Sequence, residues 1–304
     1  LLMAGTSSMT ESKIPNQNSV KHRISIGVRF HDISKLNFLR RCLISIDAQS
    51  SVHPHIYIVT QDFSPSSLEA VKDLLAQCLA INGSTYTLIN VQNPNGLDLR
   101  TKLLNKIVQA HYADSISSYL CFIDYDDLWY SHALKTLLSP LLNTSFVMSY
   151  ADIHLADVWT DGQIFYLRDL FDRQMISKKN KSDLLKGNFL PLHSYMFDTS
   201  KISQDLFVYD ESLSRNEDYD FLIRLASDNP VTRAVSNRLI GLYNFYTCDD
   251  GAINTCDNPF DQSSSFSSEE KSIFDRDFLA IIEKNGGLAW KTFFGEDIQW
   301  PWHD

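Results

Sequence analysis

The segment YLCFIDYDDLWY (119–130) runs five mostly apolar residues into Asp124, Asp126 and Asp127, then closes on Leu-Trp-Tyr. Carboxylates this dense repel one another, so either a positive charge sits among them or one must stay protonated. An all-oxygen donor set selects a hard cation such as magnesium or manganese, which keeps waters and holds a substrate diphosphate. Asp124 and Asp126 lie two apart, and in extended geometry both leave one face of the chain and can share that ion. The plainer alternative is a solvated loop with an acidic helix cap. The apolar run before the acids and the aromatics after them weigh against it, because solvated turns favour Gly, Ser and Asn.

A second pair, Glu217 and Asp218 in NEDYDFLIRLA (216–226), opens a helix predicted over 216–229. Asn216 is its expected N-cap, Arg224 lies downstream, and Phe221, Leu222 and Leu225 turn inward. A helix dipole favours ionised acids there, which alone explains them. Beside a metal-bound diphosphate, the same pair becomes a candidate general base for an acceptor hydroxyl.

The elements that must position these acids alternate. Strands are predicted at 24–30, 55–60, 85–91 and 118–124, and helices at 35–49, 66–80 (Ser66 or Ser67 as N-cap), 99–113 and 132–142. Four alternations predict an α/β fold, a mostly parallel Rossmann-like sheet with helices on both faces. Ligands in such sheets bind beyond the carboxyl ends of the strands, where the acid cluster falls. From 145 the pattern loosens into an antiparallel strand pair (145–157 and 161–169), a Lys-rich loop (177–188) and a last strand (237–247), with a helix near 268–285. Lys178, Lys179 and Lys181 read as solvated. Trp300 and Trp302, with Phe293 and Phe294, read as core packing before a membrane or partner patch.

Composition narrows the class. The 304 residues are 44% hydrophobic and 21% charged, which is globular, and the net charge of −10 argues against a nucleic-acid binder. The five cysteines (Cys42, Cys78, Cys121, Cys248, Cys256) show no metal spacing; Cys42, Cys78 and Cys121 sit in apolar patterns as buried thiols, and a reducing, cytoplasmic setting fits best. No apolar run reaches the ~20 residues of a membrane span. Residues 1–20, with Leu-Leu before Met3, read as a tag or disordered leader rather than a signal peptide.

"FIDYDDLWYSHAL" with "NEDYDFLIRLA" resembles the two acidic signatures of inverting family-2-type glycosyltransferases with the GT-A fold. "RISIGVRFHD", "LRRCLISIDAQS", "IYIVTQDFS" and "NGLDLRTKLLNKIVQA" stand where that family has its first strand, first helix, second strand and the segment before the acid strand. The resemblance covers residues 23 to about 247. It implies a sugar-nucleotide half at 21–130, an acceptor half at 131–250 with a smaller antiparallel part, and a helical extension at 251–304.

It further implies transfer from a UDP- or dTDP-linked sugar to a glycan or glycolipid hydroxyl, as in surface polysaccharide assembly. The enzyme would be cytoplasmic, free or at the inner face of a membrane, and a module of a larger enzyme is compatible. Asp124 and Asp126 would meet the metal, Asp124 also the ribose, with Asp127 in support. Arg29, Phe30 and His31 would lie against the base, Gln61 and Asp62 would read it, and Arg100 and Lys102 would sit near the nucleotide. Asp218 would be the base, Glu217 its helper, with His193 and Trp129 on the acceptor side. Three departures stand out: Val28–Asp32 replaces Pro-Thr-x-Asn, Gln61 replaces the first Asp of the base-reading pair, and "YNFYTCDDGAIN" (243–254) carries no basic residue. Rival readings are an inactive glycosyltransferase-like scaffold, a sugar nucleotidyltransferase, which would open on a Gly-rich basic loop, and a haloacid-dehalogenase-type phosphotransferase, whose acids lie on the first strand.

Overall fold

The computed structural model describes residues 22–80, 82–93, 99–174, 176–229, 232–248, 251–252, 272–273 and 276–284. The leader, Cys256 and the Trp300/Trp302 tail lie outside the described residues.

Four parallel strands carry the first half: β1 (His22–Phe30), β2 (Val52–Gln61), β3 (Thr85–Val91) and β4 (Tyr119–Phe122). Their order is β4-β1-β2-β3, so the chain builds outward from β1 to β3 and then returns to the other side of β1. This reversal makes a topological switch point between β1 and β4. Right-handed crossovers put α1 (Leu36–Asp47) and α2 (Pro65–Cys78) on one face and α3 (Arg100–Asp114) on the other. Strand residues 24–30 and 54–60 are buried without alternation, as in a sheet covered on both faces. Gly27 lets α3 lie close on β1, since a Cβ there would meet Ile107 Cγ2 at 2.6 Å and Phe122 Cδ1 at 2.7 Å. Helix α2 begins earlier than predicted. Ser64, with Pro65 at the first helical position, accepts from Ser67 N and is the cap instead of Ser66 or Ser67.

Beyond β4 the sheet becomes mixed. After β5 (Leu128–Trp129) and the short α4 (Ala133–Leu138) come β6 (Met148–Thr160), β7 (Phe165–Gln174), β8 (Tyr195–Asp198), α5 (Glu217–Asp228), β9 (Thr232–Cys248) and β10 (Gly251–Ala252). β8 runs antiparallel between β4 and β6, β7 pairs antiparallel with β6, and β9 runs parallel to β6. The predicted Lys-rich loop is instead held by 3₁₀ turns at Ile176–Lys178 and Lys181–Lys186. Asn180 and Asp183 form a capping box, and Leu184 is buried. Lys178 and Lys179 are exposed there, as expected. A short helical segment at 276–284 packs Ile281 against Leu213, Tyr219 and Ile223.

Candidate functional site

The switch point is bridged by one guanidinium. Arg29, next to last in β1 and only 6% exposed, donates from Nη2 to Asp124 Oδ1 at 3.1 Å and from Nη1 to Glu217 Oε1 at 2.6 Å. Arg100, first residue of α3, brings its Nε within 3.7 Å of the same Glu217 oxygen. One arginine thus joins the end of β1, the segment after β4 and the start of α5. Burial lowers its hold on the proton, but Asp124 and Glu217 outweigh burial and keep it firmly charged. The benefit is mutual. Burial raises Asp124, yet Arg29 and then Arg100 bring it below the usual carboxylate range, and Arg100 and Arg29 do the same for Glu217.

The acids after β4 do not leave one face of an extended strand. Strand β4 stops at Phe122 and Asp124–Asp127 form a turn closed by Asp127 N to Asp124 O at 3.0 Å. Each carboxylate therefore takes its own direction. Asp127 points into the protein: it is 2% exposed, Oδ1 accepts from Asn244 N at 2.9 Å, and Oδ2 lies 3.1 Å from His193 Nδ1. Asp126 is held through its carbonyl, which accepts from Asn244 Nδ2 at 2.8 Å and from the Tyr246 hydroxyl. Its carboxylate has no ion-pair partner among the described residues. Burial first, then the charges of Asp127 and Asp124, push it well above the ordinary value. Beneath the turn, burial and the same acids keep the Cys42 thiol protonated, 3.7 Å from Asp124 O.

At the start of α5, Asp218 is half-buried, accepts from Asn188 Nδ2 at 3.2 Å, and sits beside the ionised Glu217. Burial and then the Glu217 charge raise it to about 6, with Arg29 only partly offsetting them. Asn216 occupies the N-cap position in a left-handed conformation (φ 59°) with no capping bond from its side chain, unlike the cap expected.

The other predicted residues divide into two groups. His31, Gln61 and Asp62 gather at one end of the sheet, because Phe30 pairs with Thr60 and Gln61 with Val91. His31 is exposed beside the Tyr125 ring, and Asp62, at φ 54°, accepts from Asn93 N at 2.6 Å. Lys102 is half-buried in the first turn of α3. Phe30 is fully buried against Phe63 and Tyr125, and Arg29 is locked between two carboxylates, so neither presents a face to a base as expected. Trp129 and His193 depart from expectation as well. Both are buried, and Trp129 Nε1 donates to His193 O at 2.8 Å, which ties β5 to the segment before β8. Sequence reasoning missed Asn188, Tyr195 and Tyr209. The two phenols are buried, Asp218 helps raise both, and their hydroxyls have no hydrogen-bond partner among the described residues.

Among the described residues no three His, Cys, Asp or Glu side chains converge as a metal cage. A hard cation bound with a diphosphate needs only one or two carboxylates. Asp126 could meet that demand, since like charge crowds its carboxyl, Arg100 offsets this only in part and no ion pair reaches it among the described residues, and Asp124 stands beside it.

No sequence-family model matches the chain and no curated protein matches it in sequence. Solved structures do match in fold. S. aureus TarS 1–349 superposes with a TM-score of 0.55 at 12% identity, over 73% of this chain and 60% of that one. Its complex with UDP-GlcNAc gives 0.53 at 13% identity, over 73% and 58%. The mannosyltransferase PcManGT from Pyrobaculum calidifontis, in complex with GDP-Man and Mn2+, gives 0.50 at 11% identity, over 73% and 57%. The fold is that of the GT-A glycosyltransferases. This chain spans about three-fifths of the TarS 1–349 structure it matches. In the GT-A arrangement seen here, the Arg29 bridge stands at the carboxyl ends of β1 and β4, where an open α/β sheet binds its ligand.

Proposed function

We propose that the chain is an inverting, metal-dependent glycosyltransferase that moves a sugar from a nucleotide-sugar donor to a hydroxyl of a glycan or glycolipid. The observation that carries this is the pairing of Asp218, raised to about 6, with a carboxylate turn left short of positive charge across the Arg29 bridge. A general base serves best with a pKa near the working pH.

Asp126 and Asp124 would hold a manganese or magnesium ion with the donor diphosphate, and the ion would supply charge neutralisation for the leaving group. Asp218 takes the proton of the acceptor hydroxyl. The oxygen then bonds the anomeric carbon while the bond from that carbon to the diphosphate breaks on the opposite face, so the configuration inverts. Glu217, kept ionised by Arg29 and Arg100, maintains the proton affinity of Asp218. His31, Gln61, Asp62 and Lys102 form the nucleotide side. The TarS complexes with UDP and UDP-GlcNAc support a UDP-linked donor, with dTDP as the alternative; the GDP-Man complex keeps guanine within the comparison. Free thiols at Cys42, Cys78, Cys121 and Cys248 suit a cytoplasmic site of polysaccharide assembly. No helix among the described residues is long and apolar enough to cross a membrane, and a glycolipid acceptor would call for association with a membrane surface.

Nucleotide release from a panel of sugar nucleotides with manganese, with and without candidate acceptors, tests the proposal. Manganese-dependent release from one donor is expected. Binding without release from any donor would favour the inactive scaffold.

A further inference from the structure

The helical segment at 276–284 reaches the candidate base from outside the sheet. Asp277, 2% exposed, accepts with one oxygen from both Ser214 N and Arg215 N at 2.8 Å each. These are the two residues before Asn216, whose left-handed backbone turns the chain into Glu217 and Asp218. Two flanking contacts hold the segment in place. Phe278 stacks on Tyr219 with ring centroids 5.8 Å apart, and Lys284 Nζ reaches Asp210 Oδ2 at 2.5 Å and Asp220 Oδ1 at 3.2 Å.

We propose that Asp277 is a positioning residue whose carboxylate fixes the 214–216 turn and thereby the place at which Glu217 and Asp218 enter the cleft. The role rests on the reading of Asp218 as base. Its physical basis is local. A non-glycine residue in the left-handed region is held there only by its surroundings, and two amide donors left without an acceptor would favour another turn. A base displaced by a fraction of an ångström loses its alignment with the acceptor oxygen, and misplacement on the order of 1 Å costs about a hundredfold in rate. The segment assigned from sequence to an extension beyond the catalytic region thus reaches into its machinery.

The test is a carboxyl ¹³C titration of Asp218 with amide exchange at Ser214 and Arg215, in the full chain and in Asp277→Ala, Asp277→Asn and Ile281→Ala. Asp277→Ala should lose protection at both amides and move the Asp218 midpoint by about one unit. Asp277→Asn keeps an acceptor oxygen and should restore most of the midpoint. Ile281→Ala removes buried packing without touching the two bonds, so it should lower the melting temperature and leave the midpoint in place. Equal movement in Ile281→Ala and Asp277→Ala, or an unmoved midpoint in a folded Asp277→Ala, overturns the positioning role. Should Asp277→Ala fail to fold, Asp277→Asn against Ile281→Ala decides by the same criterion: a midpoint that follows the loss of stability rather than the loss of the acceptor overturns it. A wild-type midpoint at the ordinary aspartate value would instead count against Asp218 as a tuned base, while amide protection would still report the clamp.

Discussion

The two acidic clusters are built from the same residue types around one arginine and differ in how crowded the acid left over is. At the start of α5, Glu217 takes the end of Arg29 and the approach of Arg100, so it stays ionised and leaves Asp218 as the group whose proton is held tightly. In the turn after β4, Asp124 takes the other end of Arg29 and Asp127 takes His193 and Asn244. Asp126 is left crowded by charges of its own sign. Both leftover carboxyls hold their proton more tightly than a free one, Asp218 through burial and one neighbouring acid and Asp126 through burial and two, and in the proposed reading a bound cation would relieve the crowding at Asp126. A single arginine, shared between them, pairs with one acid of each.

The comparison breaks most completely at Asp218, the proposed base. Asp218→Asn keeps the shape and the bond from Asn188 but cannot accept a proton, so transfer should fall by about 10²–10⁴. Calorimetry should find donor binding nearly unchanged. Wild-type transfer rates in this variant would remove Asp218 from the mechanism.

Arg29→Met strikes both clusters at once. It leaves Glu217 and Asp124 buried without their bridging cation, and breaking a buried pair in this way costs about 3–5 kcal/mol. Denaturant unfolding should show a loss of that size, larger at neutral pH than at pH 4, where carboxylates can neutralise. A loss below about 1 kcal/mol would mean the bridge is no more than a surface ion pair.

A subtler probe is pH. Because the folded-state value of Asp218 is raised from 3.8 to about 6, its base form is depleted below that value. Transfer should drop about tenfold per unit on the acid side and flatten above it. For stability the sign is reversed. A raised carboxyl favours the fold below its unfolded value, and that contribution is lost as pH rises through about 6. Asp218→Asn should abolish this part of the pH dependence, which thermal unfolding between pH 4 and 7 can follow.

Much of this arrangement was legible in the sequence. Strand and helix alternation located β1 to β4 and α1 to α3, because apolar runs and helical spacing are local signals. Helix α5 and its inward Phe221, Leu222 and Leu225 were equally plain. The geometry of the acids was not. Asp124 and Asp126 read as one face of a strand, yet a turn closes at Asp127, because Asp127 is drawn inward by His193 and Asn244, both far away in sequence. Arg29 read as a contact for the base. A signal for its true place was available, since an arginine at the end of a fully buried strand requires carboxylate partners. Trp129 and His193 read as acceptor-side residues, and a pairing through a backbone carbonyl that buries both leaves no trace in composition. Short β5 and β8 escaped notice for a related reason: two- and four-residue strands carry too little periodicity, and only their partners β9, β4 and β6 define them.

The most direct test of the proposed site is a thermal-shift titration of UDP, dTDP and GDP, each with and without manganese, on the wild type, Asp126→Asn and Asp218→Asn. Ligands that bind only the folded state raise its melting temperature by mass action. The account predicts a manganese-dependent rise with one nucleotide, lost in Asp126→Asn and kept in Asp218→Asn. A rise that survives Asp126→Asn unchanged, or no rise with any nucleotide, would contradict it.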